Sequence, residues 1–354
     1  MERAKWFARR ADAQRFLHDR EARKARGEWI DPELGKTPLS EWVERWRGTT
    51  VHLKPKTRAG YESLLKTLIL PELGRARLEE IDPLWVREWV AALVGRGLSA
   101  SRVRQAYRLL GTIMRAAVES GYVARSACVS VRLPRLPQRE MLFLSAEQVR
   151  TLAEAAGEYR TLIYVLAYGG VRWGEAAAIR RRRCDLLRGR IEVSESLAEV
   201  GAALHFGPTK THQARTMTLP QFLRTMLNRH LQGVPADPGA LVFTAPGGGP
   251  LRLTNFRRRV WVPALRAAKL SERVRIHDLR HTCASLLIAQ GEHPKAIQEH
   301  LGHSSIQVTI DRYGHLFPDQ QEHLAEALES TYQAAAKDRR GRPSHLRLVE
   351  PPEK

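Results

Sequence analysis

His277-Asp278-Leu279-Arg280-His281, then Leu301-Gly302-His303-Ser304-Ser305, then Asp311-Arg312-Tyr313-Gly314: these three clusters punctuate the stretch 277–314. The spacing between them predicts three short helices, over about 277–290, 294–301 and 304–312. Gly291 marks one break, and Gly302 with Ser304-Ser305 marks the next. His277 and Arg280 are three residues apart and so share a helix face. Tyr313 closes the last helix, and the following Gly314 is expected to turn the chain away and leave the phenol free to swing.

Upstream, the same block predicts helices over about 221–231 and 254–268. Two period-two runs, Arg190-Ile191-Glu192-Val193-Ser194 and Arg215-Thr216-Met217-Thr218-Leu219, read as strands of a small antiparallel sheet. Ser145 and Gln148 form a capping-box pattern ahead of Val149 and Leu152. A helix over about 159–168 ends at Gly169-Gly170. Another is expected from about 173 to 180, with Arg172 just where the helix restarts. Lys210 falls in the turn region before the 215–219 strand. A last helix over about 319–335 carries Leu324, Leu328 and Tyr332 at helical spacing, too few apolar residues for a core of their own, which suits docking on a neighbouring subunit.

Residues 39–132 read as a separate all-helical unit. A short helix is expected at Glu41–Trp46. A second opens at Lys54-Pro55-Lys56-Thr57 and is expected to stop at Pro71-Glu72-Leu73-Gly74. Asp82-Pro83 gives an N-cap with proline at the first helical position, and Ser99 opens a helix ending before Gly121. Lys54, Lys56, Arg58, Arg102, Arg104 and Arg108 lie on its outer faces as candidate phosphate contacts. Residues 133–140, with Pro134-Arg135-Leu136-Pro137, read as a linker, and 141–335 as the second domain. Residues 1–38 form a basic helical segment ending near Gly27. Residues 336–354 are charged and read as a disordered tail.

The 354 residues carry 58 Lys+Arg against 38 Asp+Glu, a formal net charge of +20. That excess suits a polyanion, because each cation near a phosphate releases a condensed counterion. No apolar run reaches the ~18 residues of a membrane span, and the charged N-terminus lacks a signal-peptide pattern. Cys128, Cys184 and Cys283 are scattered, which fits a reducing cytoplasm rather than a disulfide framework.

Arg172, Lys210, the His277/Arg280 pair, His303 in Leu-Gly-His, and Tyr313 before glycine together resemble, in order and spacing, the tyrosine recombinase (phage integrase) family. Leu73-Gly74, Leu78 and Ile81-Asp82-Pro83 resemble its helical core-binding domain. Residues 1–38 resemble the end of an arm-binding domain of actinophage-type integrases, without room for the usual three-stranded sheet. The implied fold is mainly α with a small antiparallel β-sheet in the catalytic domain. The implied reaction is site-specific DNA recombination through a 3′-phosphotyrosyl intermediate, without cofactor, metal or ATP.

The chemistry is consistent with that resemblance. Two guanidiniums, Arg172 and Arg280, suit the non-bridging oxygens of a phosphodiester. Tyr313 is the expected nucleophile, His277 its base, and Lys210 the acid for the leaving oxygen. His303 is expected to bond the phosphate, with Glu175 in support. His281 reads as structural. The family implies a tetramer on double-stranded attachment sites, with a host DNA-bending factor and a directionality factor as further partners, in the cytoplasm at the nucleoid and away from membranes. Two other readings stay open at this point. His277, His281, His300 and His303 have metal-ligand spacing. Residues 281–312 mimic a helix-turn-helix regulator, which would leave Arg172, Lys210 and Tyr313 idle.

Overall fold

The computed structural model describes residues 6–25, 32–137, 140–209, 214–317, 325–326 and 328–334. It divides into two compact units, residues 1–140 with 198–205, and residues 141–197 with 206–354. Among the described residues no helix is long and apolar enough to cross a membrane.

The first unit is helical: α1 (Arg10–Ala25), α2 (Pro32–Gly35), α3 (Leu39–Thr49), α4 (Pro55–Leu64), α5 (Leu70–Leu73), α6 (Pro83–Gly95) and α7 (Ala100–Glu119). Asp82 and Ser99 cap α6 and α7 by accepting from the backbone N–H three residues on. The stripe Val103, Ala106, Leu110, Ile113, Met114 and Ala117 of α7 packs with Trp42, Trp46, Leu65, Ile69 and Trp89 into one apolar core. Two indoles also find acceptors there: Trp42 Nε1 donates to the Ile113 carbonyl and Trp89 Nε1 to that of Leu68, each at 3.1 Å.

One expectation in this unit needs correction. The helix expected at 41–46 starts at Leu39 and runs to Thr49, because Leu39 and Val43 are wholly buried on the same stripe as Trp42 and Trp46. The second helix ends at Leu73 before Gly74, within the stretch expected to stop it, but it is not one regular helix. A π-helical turn at Leu65–Ile69 links α4 to α5 and opens the hydrogen-bond ladder just ahead of the residue that lacks an N–H. The same device recurs at Arg257–Trp261, ahead of Pro263.

In the second unit come α8 (Ala146–Ala155), α9 (Arg160–Gly169), α10 (Trp173–Ala176), α11 (Gln221–Gln232), α12 (Leu253–Phe256), α13 (Val262–Ala267), α14 (Asp278–Ala289), α15 (Pro294–Leu301) and α16 (Ile306–Tyr313). The capping box of Ser145 and Gln148 is formed. Almost every residue of α9 is buried, and α14 packs along it. β1 (Cys184–Asp185), β2 (Arg190–Val193) and β5 (Arg215–Thr218) form an antiparallel sheet in the order β1-β2-β5, with Ile191 opposite Met217. β3 (Glu195–Val200) and β4 (Ala203–Pro208) pair as a separate two-stranded ribbon that the sequence pattern did not predict, since β3 buries only Leu197 and shows no alternation. The mainly helical fold with small antiparallel sheets is as expected.

Helix α10 ends at Ala176, not near 180. Arg180 is already extended, and the run Arg180–Arg183 turns inward. Arg180 pairs with Glu195 at 2.8 Å and donates to the Gly239 carbonyl. Arg181 donates to the carbonyls of Leu231 and Val234 at the end of α11, and Arg183 pairs with Glu192 at 2.6 Å. Of the helix expected over 319–335, residues 328–334 are helical. Leu324, with 319–323, 327 and 335, lies outside the described residues, as do the tail and Gly27.

Candidate active site

Gly170 ends α9 with φ of +60°, which a side chain would strain, and a Cβ there would stand 2.5 Å from Leu301. That turn delivers Arg172 to the start of α10. Glu175, one turn on and 1% exposed, accepts from the Arg172 backbone N–H at 2.9 Å and from its Nη1 at 2.8 Å. Arg172 Nη2 reaches the Gly302 carbonyl at 3.4 Å. Burial alone would push the Glu175 carboxyl up. The hydrogen bonds and charges of Arg215 and Arg172 outweigh that and hold it at about 2.

Arg280 is buried on α14, with Nη1 donating to the Gly170 carbonyl and Nη2 without any acceptor. Burial, then the neighbouring Arg172 charge, lowers its pKa to about 9, so it stays a cation at neutral pH. A buried cationic N–H with no acceptor is costly unless an anion completes it.

His303 follows Gly302, whose φ of +67° ends α15. Its Nδ1 lies 2.9 Å from the buried Thr309 hydroxyl, which fixes the ring. Burial and the charges of Arg280 and Arg172 lower its pKa to about 3, so the ring is neutral at pH 7. Tyr313 is wholly buried among Cys283, Ala284, Ile288, Ile297 and Leu301, and its ring stacks on His303 with centroids 6.2 Å apart. Burial raises its pKa.

The Tyr313 hydroxyl bonds His281 Nδ1 at 2.8 Å rather than His277. His277 sits exposed ahead of α14, one turn too early, with its ring edge against His281 at 4.9 Å. Desolvation, then Arg280, Arg312 and Arg172, lowers the His277 pKa to about 4; His281, chiefly through burial, is also near 4. Gly314 does not turn the chain away: its φ is −53°, and the chain continues into a 3₁₀ turn at Gly314–Leu316. The phenol is wholly buried.

The structure thus gathers Arg172, Glu175, Arg280, His303 and Tyr313 in the second unit, with His277 at the margin. Lys210 lies outside the described residues. The motifs missed Arg215, which donates to Glu175 at 2.7 Å, and Thr309 and His281. Helical spacing offered one signal: His281 is a turn after His277.

The metal spacing does not converge. The His300 ring bonds the Tyr168 carbonyl, His303 bonds Thr309, and among the described residues no group of three or more His, Cys, Asp or Glu is placed to hold an ion. In the first unit, Lys56, Arg58 and Arg108 are exposed, Lys54 is half-buried and precedes α4, and Arg102 donates to Ser63. Arg104 is half-buried, and its Nη1 holds the Pro134 carbonyl of the linker at 3.1 Å.

Comparison with known proteins identifies the family and the fold. Residues 142–320 match the model of the phage integrase family, and residues 38–94 match that of the phage integrase N-terminal SAM-like domain. The integrase of Mycobacterium phage D29 is 27% identical over 314 residues, covering 84% of this chain and 82% of that protein. The Tn1549 transposon integrase, solved with circular intermediate DNA, superposes with a TM-score of 0.71 at 19% identity, over 83% of this chain and 99% of the other. The lambda integrase tetramer bound to a Holliday junction gives 0.60 at 18% identity, over 90% and 89%. With its family model spanning half the chain, from 142 to 320, the protein belongs to the phage integrase family of tyrosine recombinases.

Proposed function

We propose that this site-specific DNA recombinase cleaves through Tyr313, with Arg172, Arg280 and His303 gripping the scissile phosphate. The observation that carries this reading is the buried, unpartnered Nη2 of Arg280, close enough to Arg172, His303 and Tyr313 for their charges to interact. Two guanidiniums offset the charge that builds on the non-bridging oxygens in the transition state.

Attack by Tyr313 Oη on phosphorus breaks the bond to the 5′-oxygen and leaves a 3′-phosphotyrosyl link with a free 5′-hydroxyl. The phenol proton passes to the neutral His281 imidazole that already bonds it. On this reading Lys210 supplies the proton to the 5′-oxygen, and His277 meets the phosphate from the mouth of the site. A bound phosphodiester brings negative charge against Arg280 and Arg172, which after burial depress His277, and so raises the basicity of that ring when DNA is present. Because Tyr313 is wholly buried, it must leave its packing for its oxygen to meet phosphorus.

The substrate on this reading is double-stranded DNA at attachment sites, brought together by a tetramer of this chain. Lys54, Lys56, Arg58, Arg102 and Arg108 of the helical core-binding unit contribute phosphate contacts. A host DNA-bending factor and a directionality factor join at the nucleoid.

The test is a nicked suicide duplex, a denaturing gel and peptide mass mapping, in EDTA and without ATP. Wild type is expected to trap DNA on the peptide containing Tyr313. Tyr313→Phe removes one oxygen, so it should fold, bind DNA and give no adduct above background. An equal adduct from Tyr313→Phe, or cleavage that demands a divalent cation, overturns the mechanism.

A further inference from the structure

No motif in the sequence marks Arg215, yet both supports of the Arg172 guanidinium meet there. Arg215 opens β5, paired with Val193 across the sheet. Its Nη2 donates to Glu175 Oε2, the oxygen that also accepts the Arg172 backbone N–H. Its stem lies beneath Gly302: a Cβ on that residue would stand 2.7 Å from Arg215 Cδ and 2.9 Å from Nε. Glu175 and the Gly302 carbonyl are in turn the two acceptors of the Arg172 guanidinium. Arg215 therefore holds one support by an ion pair and the other by packing. Its own side chain is 12% exposed and aimed at Glu175.

The charges matter as much as the geometry. Arg172 and Glu175 alone make a closed pair with no net charge, a poor seat for a phosphate. A second guanidinium on the same carboxylate leaves the trio with a net positive charge. It also gives buried Glu175 a further donor, so the carboxylate need not close on Arg172.

We propose that Arg215 is a positioning residue for strand cleavage, which shares Glu175 and braces Gly302 so that Arg172 stays aimed at the phosphate with its charge available. The role rests on the function proposed above and adds a residue to it that never touches the DNA.

The experiment measures single-turnover cleavage of the suicide duplex by the full chain, with DNA affinity and thermal melting recorded for each variant. Arg215→Met and Arg215→Lys are compared, each alone and combined with Glu175→Gln. Arg215→Met should lower the cleavage rate by about 10–100-fold, with affinity within about twofold. Arg215→Lys keeps the charge but only one donor head, and should lose about fivefold. In the Glu175→Gln background either change should cost less than about threefold, since partners acting as a unit are non-additive. Should Arg215→Met fail to fold, Arg215→Lys against Glu175→Gln closes the same cycle. Cleavage at the wild-type rate, equal losses in both backgrounds, or losses that follow affinity or melting overturn the proposal. An adduct that depends on Tyr313 but not on this pairing sinks the inference alone. No Tyr313-dependent adduct from wild type sinks it together with the proposed function.

Discussion

The two units bury different things. Among the described residues, the polar side chain buried in the first unit is Thr50, at the end of α3. The second buries Glu175, Asp278, Arg280, His281 and His303 as well as several threonines; Glu175 bonds Arg172, His281 bonds Tyr313, and His303 bonds Thr309. Both units are mostly helix. What separates them is that one interior is held by apolar area and the other also carries an ionic network. Buried ionic groups cost stability unless each is satisfied. Their concentration at one end of one unit therefore marks where chemistry, not folding, set the residue choice.

That contrast breaks first if the network proves dispensable. Arg172→Lys keeps charge but loses the fork that reaches Glu175 and Gly302 together. It should cut single-turnover cleavage by about 10²–10³-fold while leaving melting nearly unchanged. Wild-type cleavage by this variant would show that the buried ionic set is scaffold only.

The mirror experiment uses the apolar core. Leu110→Ala empties a wholly buried position on α7 and should cost about 3 kcal/mol in stability. Urea unfolding followed by hydrogen exchange should place that loss in residues 39–131. Once folded and saturated with DNA, the variant should cleave at close to the wild-type rate.

Acid gives a third and smaller discriminator. His281 and His303 have folded pKa values of about 4 and 3, below the ordinary 6.5. The unfolded chain therefore takes up protons first as pH falls. The stability these rings allow is intact above about pH 6.5 and is lost progressively towards pH 4 and below, by about 2 kcal/mol for each ring at pH 5. Amides of residues 141–317 should lose exchange protection between pH 7.5 and 5 before those of 39–131. Equal losses in both units would erase the difference between the two interiors.

The sequence was legible where contacts are local. The α7 stripe, the Asp82 and Ser99 caps and the β2–β5 pair follow from spacing and from single residues acting on their neighbours. Legibility failed where a distant partner decides. The π turn at Leu65–Ile69, just ahead of Pro71, has no signature in the apolar spacing. His281 reads as structural because its partner, Tyr313, lies 32 residues away on another helix. Arg215 meets Glu175 across 40 residues and Gly302 from below, and no local pattern announces either contact. Arg172, Arg280, His303 and Tyr313 were found through their shared order along the chain, not through any property of each alone.

A chain with a net charge of +20 should push itself apart, and the run Arg180–Arg183 shows how this one avoids doing so at one point. Three of those four guanidiniums face carboxylates or the open carbonyls of Leu231, Val234 and Gly239. Each such group turns a source of repulsion into a cross-brace between segments far apart along the chain. Rising ionic strength weakens the hold on a polyanion and the half-exposed Arg183–Glu192 pair alike, whereas the bonds of Arg181 to the Leu231 and Val234 carbonyls have no second charge to screen.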